Sequence, residues 1–145
     1  MPTGELKSKK QALAKRTVLI VCIGLPGLVL AGFLISGPIR RHSKAQNDVN
    51  ALMQALSAYA SEQGELPHGD CATICRLLRG ESVDGQNPKR LDYINAEGKE
   101  VSAHGELLDP WGKPYKIIVE KGLRVYSSGP NGNDERGQGD DVTPK

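Results

Sequence analysis

Six side chains with oxygen donors crowd the glycine-rich stretch Ser128–Val142: Asn131, Asn133, Asp134, Glu135, Asp140 and Asp141. Donors of that kind suit a hard divalent cation. Ca²⁺ takes about six to eight oxygens, some of them backbone carbonyls, on a chain flexible enough to wrap it. The neighbouring carboxylates of Asp140 and Asp141 repel each other unless a cation or a hydrogen-bond donor lies between them. The EF-hand pattern does not fit, because Arg136 stands where its turn glycine belongs. A solvated acidic tail is the plain alternative on composition.

Cys71 and Cys75 form a C-x-x-x-C pair with His68 just before them. In a body placed outside a membrane, an isolated pair is readable as a disulfide. Spacing of four on a helix sets the two Cα atoms near the long end of what a bridge tolerates, so the Cys71–Cys75 bridge is open but not required. His68 with both thiols offers three soft ligands to zinc, without a fourth at a familiar spacing. Plain packing is the third reading. The chain has no G-x-S-x-G, P-loop or H-E-x-x-H. His42, His68 and His104 fall in a juxtamembrane stretch and two turns. These features predict no catalysis and no small-molecule substrate.

The elements that must position the acidic loop begin at Asp109-Pro110-Trp111-Gly112-Lys113-Pro114-Tyr115. Asp-Pro opens a turn whose carboxylate is free to accept backbone N–H groups. Gly112 permits positive φ and Pro114 directs the exit. Trp111, the single tryptophan, offers the largest apolar area in the chain. Tyr115–Glu120 and Leu123–Ser127 flank Lys121-Gly122 and read as an antiparallel hairpin. Upstream, Val49, Leu52, Met53, Leu56, Tyr59 and Ala60 fall at helical spacing and predict a helix from Arg40 to Gln63, ended by Gly64 and Pro67. Asp70 predicts the cap of a short helix over Cys71–Leu78 that turns Ile74, Leu77 and Leu78 inward and stops at Gly80. Residues 81–106 are rich in turn signals, with Leu91, Tyr93 and Ile94 expected to anchor them on the core.

Thr17–Ile35 is 19 residues without a charge. As a helix it spans about 28 Å, enough for a bilayer core of about 30 Å. Residues 1–16 carry five Lys/Arg against one acid, and Arg40, Arg41 and Lys44 follow the segment. The positive-inside rule then leaves the N-terminus in the cytoplasm and exports the body. No clean A-x-A site follows, so the segment is expected to stay as an uncleaved anchor. Residues 45–145 hold 11 Lys/Arg and 16 Asp/Glu. An acidic body lacks the basic face that phosphate binding needs, so no nucleic-acid partner is expected.

The amphipathic helix with Ala55-Leu56 and Tyr59, then Gly64-Glu65-Leu66-Pro67, the turn Asp109–Tyr115, Tyr126-Ser127-Ser128-Gly129-Pro130-Asn131-Gly132 and Gly139-Asp140-Asp141-Val142 follow one another in order. In order and spacing, over roughly residues 45–142, they resemble the periplasmic domain of the major pseudopilin of bacterial type II secretion systems. The resemblance implies an α+β, pilin-like fold: a long N-terminal helix packed on a small antiparallel sheet, with a C-terminal loop that binds Ca²⁺. In that family the ion takes backbone carbonyls early in the loop and carboxylates later. Carried onto this chain, the ligands are a carbonyl at Ser128, the side chain of Asn131, and the paired acids Asp140 and Asp141. Asn131 stands where the family usually has Asp, and a neutral amide there weakens binding. The family is also made with a basic leader, cut before a Phe that opens the apolar helix, with a Glu four residues on. Here Gly32-Phe33 closes the apolar segment, and no Glu lies between Thr17 and Ile35.

Together these readings divide the chain into a basic cytoplasmic tail (1–16), a transmembrane anchor (17–37) and a pseudopilin-like extracytoplasmic domain (38–145). They place it in the bacterial inner membrane as a single-pass protein with a periplasmic body. The expected function is a structural subunit of type II secretion or a related pilus machine, in company with like subunits and other machine components. The alternative is a non-polymerising, membrane-anchored, calcium-dependent binding module on the same fold.

Overall fold

The computed structural model describes residues 37–120 and 122–145. The basic tail and the apolar segment Thr17–Ile35 lie outside the described residues, and the expected anchor and its orientation lie there with them. Among the described residues no helix is long and apolar enough to cross a membrane. The body forms one compact unit, Arg40–Lys145.

Helix α1 covers residues 37–63. Its buried positions, Ala45, Val49, Leu52, Ala55, Leu56 and Tyr59, recur every three or four residues, so one stripe faces the core. Met53 and Ala60, expected on that stripe, are only partly buried. Gly64 ends the helix at φ +84°, and its N–H returns to the Ala60 carbonyl at 2.9 Å.

Helix α2, Cys71–Leu78, has the expected bounds. The Asp70 carboxylate accepts the Thr73 N–H at 2.8 Å, satisfying one orphan donor of the first turn. At the other end Gly80, at φ +84°, donates to Leu77 and Glu81 donates to Arg76, a paired closure of the last carbonyls. Ile74, Cys75, Leu77 and Leu78 are buried.

The hairpin is shorter than the sequence predicts. Strands β1 (Lys116–Ile118) and β2 (Arg124–Tyr126) have three residues each, with Ile117 opposite Val125. Isolated bridges continue the pairing instead, at Val101 with Leu107, Leu108 with Pro114, and Ser127 with Val142. The core joins the stripe of α1, the inner face of α2, Ile117 and Val125 of the hairpin, and Ile94, Leu107 and Tyr115. Burying one such large apolar side chain is worth about 1.5–3 kcal/mol. Trp111 is only partly buried; Tyr59, Tyr115 and Tyr126 are the buried aromatics.

Residues 81–106 are turns with isolated bridges; of the expected anchors Ile94 is buried in the core and Tyr93 packs against it, whereas Leu91 is only partly buried and lies outside the core cluster. The Tyr93 ring meets Tyr59 with centroids 5.2 Å apart. One tie has no signal in the sequence. Buried Asn87 donates to the carbonyls of Leu77 and Leu91, and its oxygen accepts the Leu91 N–H. A second unannounced tie crosses the molecule. Asp48 on α1 is held by Lys44, by Lys99 and by the Tyr115 hydroxyl. Burial alone would raise the Asp48 carboxyl, but the Lys99 and Lys44 hydrogen bonds, the Lys99 charge and Tyr115 together hold it below its ordinary value.

Candidate functional site

The turn at Asp109 is the foundation of the C-terminal loop. Asp109 is buried, and its Oδ1 accepts the N–H groups of Trp111 and Lys113, each at 2.9 Å. Gly112 sits at φ +81° and donates to the Asp109 carbonyl. The other carboxylate oxygen accepts the Ser127 hydroxyl at 2.6 Å. The Ser127 oxygen in turn accepts the Gly129 N–H at 3.1 Å. A three-member relay of hydrogen bonds thus runs from the turn to the first residues of the loop.

The two ends of the loop meet where Ser127 and Val142 exchange backbone hydrogen bonds of 3.0 and 2.9 Å. Beyond it the tail is strapped to α1, with Gln46 donating to the Thr143 carbonyl and the Lys145 N–H donating to Asn50. Two glycines are sterically required inside. Gly129 lies at φ +64°, and a Cβ there would run into the Asp140 carbonyl. Gly139 lies at φ +58°, and a Cβ there would strike the Glu135 carboxylate.

Within this frame, oxygens of Glu135, Asp140 and Asp141 lie within 4.8 Å of one another, the one such group of His, Cys, Asp or Glu among the described residues. Asp141 Oδ2 accepts the N–H groups of Glu135 and Gly137, at 3.1 and 2.7 Å. Asp141 Oδ1 is shut off from solvent and has no hydrogen-bond partner. Glu135 Oε2 accepts the Asp140 N–H at 3.0 Å. Asp140 and Asp141, expected as ligands from the sequence, are therefore together. Ser128 is buried beside Gly129, at the start of the loop. Asn131 is at the cluster too, but as a donor. Its backbone N–H and its side-chain amide both reach Asp140, while its side-chain oxygen accepts the Asn133 N–H at 2.6 Å.

Glu135 joins the cluster although the expected ligand set left it out. Its presence among the six oxygen donors was the available signal. Asp134 turns away, accepting the Tyr126 hydroxyl and the Arg136 N–H and lying 3.7 Å from Lys116. Burial pushes the Tyr126 phenol up, and its bond to the Asp134 carboxylate adds to that.

The Cys71–Cys75 bridge is not formed in this structure, where both residues are free thiols. They stand one helical turn apart on α2, and the Cys71 thiol donates to the Tyr115 carbonyl at 3.2 Å. The neighbouring Cys75 thiol, together with burial, pushes the Cys71 thiol up. His68 faces Glu65 at 3.4 Å and does not join the thiols in a metal-ligating group. A cavity of about 540 Å³ beside the start of α2 is bordered by Leu66, His68, Cys71 and Ile117. A thiol held neutral and tied to a carbonyl is a poor nucleophile there.

A family model described as Type II secretion system (T2SS), protein G matches residues 39–144. No curated protein and no solved structure matches the chain.

Proposed function

Because the chain belongs to the family of type II secretion system protein G, the major pseudopilin, we propose that it is a membrane-anchored structural subunit of a type II secretion or related pilus machine. Residues 17–37 anchor it in the inner membrane, the basic tail stays in the cytoplasm, and the body stands in the periplasm among like subunits and other machine components. The observation that carries this reading is the extent of the match, which takes in the whole body from the first turns of α1 to the tail. Site-specific cross-linking in native membranes tests it. Cysteines placed on the exposed face of α1 of the full-length protein should yield a ladder of protomers, whereas species no larger than the monomer would count against a polymerising subunit.

One feature favours the second reading, a calcium-dependent binding module that does not polymerise. The segment Thr17–Ile35 has no Glu, the residue that directs assembly in the family it resembles. The same cross-linking decides between the two.

The loop residues fit a calcium ion. A carboxylate oxygen closed off without a partner is a costly arrangement unless a cation completes it, and Asp141 Oδ1 is such an atom. In this proposal Asp140, Asp141 and Glu135 supply the charge, and oxygens around Ser128 and Asn131 supply the rest. A bound Ca²⁺ would offset the mutual repulsion of three close carboxylates. Mg²⁺ is expected to compete poorly, because it demands a tight octahedron and keeps its waters.

A further inference from the structure

The terminal loop carries a feature that bears on how much it depends on an ion. The oxygen of the Asn131 side chain accepts the Asn133 N–H at 2.6 Å. A backbone N–H can be met only by the amide oxygen, so the amide nitrogen is turned the other way, and it donates to Asp140 Oδ1. The Asn131 backbone N–H takes the remaining oxygen, Asp140 Oδ2, at 3.1 Å. One residue therefore satisfies both oxygens of one carboxylate. Across the cluster Asp141 differs in the distribution of its donors: the N–H groups of Glu135 and Gly137 both go to Oδ2, and Oδ1 has none.

We propose that Asn131 closes the loop onto Asp140 without an ion, so that this chain's terminal loop stays folded at calcium concentrations too low to fill it. The inference rests on that loop being the cation loop of the proposed subunit. Two neutral N–H groups do at Asp140 what a positive charge would otherwise do. The cation is then left to answer chiefly to Asp141 and Glu135, and its binding competes with the amide for Asp140. An Asp at position 131 would remove the amide donor and set a second carboxylate against Asp140, making the closed loop depend on the ion.

Thermal unfolding of the full-length protein in detergent, in chelator and across a calcium titration, tests this. Asn131→Asp is expected to lower the midpoint in chelator by about 5 °C, the scale of a loss near 1 kcal/mol in a domain of this size. It is also expected to widen the gain from calcium and to lower the calcium Kd at least fivefold. Asn131→Asp combined with Asp140→Asn puts an amide opposite a carboxylate again, and should return the chelator midpoint to within about 1 °C of the parent. An Asn131→Asp midpoint equal to the parent's in chelator, or a double variant as unstable as the single one, overturns the inference. Should calcium move none of the midpoints while the loss and its rescue in chelator both occur, the ion-free closure by Asn131 stands and the calcium reading falls. If Asn131→Asp does not fold, Asn131→Ala in chelator decides: a midpoint equal to the parent's overturns the inference.

Discussion

Two carboxylates, Asp109 and Asp48, tie segments distant in sequence to one another. Asp109 is buried and accepts two backbone N–H groups and the Ser127 hydroxyl. Hydrogen bonds to a charged group contribute about 1.5–3 kcal/mol each, and they do not simply add. Asp109→Ala is therefore expected to cost about 3 kcal/mol in urea unfolding and to loosen the terminal loop, seen as faster hydrogen exchange at Gly129. Asp48 is expected to contribute about 2 kcal/mol at neutral pH through Lys99, Lys44 and Tyr115. Its carboxyl sits below the ordinary value when folded. The contribution is thus complete above about pH 4 and is lost as pH falls through the folded value. The stability difference between the parent and Asp48→Asn, measured by urea unfolding between pH 7 and pH 2.5, should shrink toward zero at the acid end; a constant difference would refute the assignment.

At the scale of elements, the local signals were legible and the tertiary ones were not. Asp70 before the apolar run and Gly80 after it bound α2 because caps act within one turn of chain. Gly64 stops α1 for the same reason. The hairpin is legible in the sequence, but its strands are short, and the pairing beyond them consists of isolated bridges. Ser127 with Val142 is one such bridge, and no periodicity marks it. Trp111 offers the largest apolar area of the chain, yet the turn leaves it only partly buried and Tyr115 goes inside. In the acidic loop the crowd of oxygens was visible. Which of them converge depends on turns around Gly129 and Gly139 that reverse the chain, so Glu135 enters and Asp134 leaves. The two kinds of glycine separate cleanly by test. Gly64→Ala meets open space and strains only φ, and should cost about 1 kcal/mol. Gly129→Ala adds a collision with the Asp140 backbone, and should cost more than about 2 kcal/mol and abolish any calcium response. Thermal melts of both variants with calcium and with chelator check the ordering; equal losses would contradict it.

Across the whole molecule, the turn, the hairpin and the acidic loop form one mechanical unit. Asp109 carries the start of the loop, Ser127 and Val142 close it, and Gln46 and Asn50 of α1 hold the tail. That arrangement suits a part that must keep its shape in an assembly. The sequence showed the pseudopilin resemblance through its turn and loop motifs, and the family match extends it to residues 39–144. The Asp48–Lys99 tie was out of reach of sequence reading, because its partners lie 51 residues apart and nothing local announces them. As proposed, this protein works as a subunit of a secretion machine. Export by a host strain lacking it is the decisive measurement. In that strain type II cargo should accumulate in the periplasm and disappear from the medium, and the wild-type protein supplied in trans should restore export; cargo reaching the medium at undiminished levels without the protein would rule out a role as a secretion subunit.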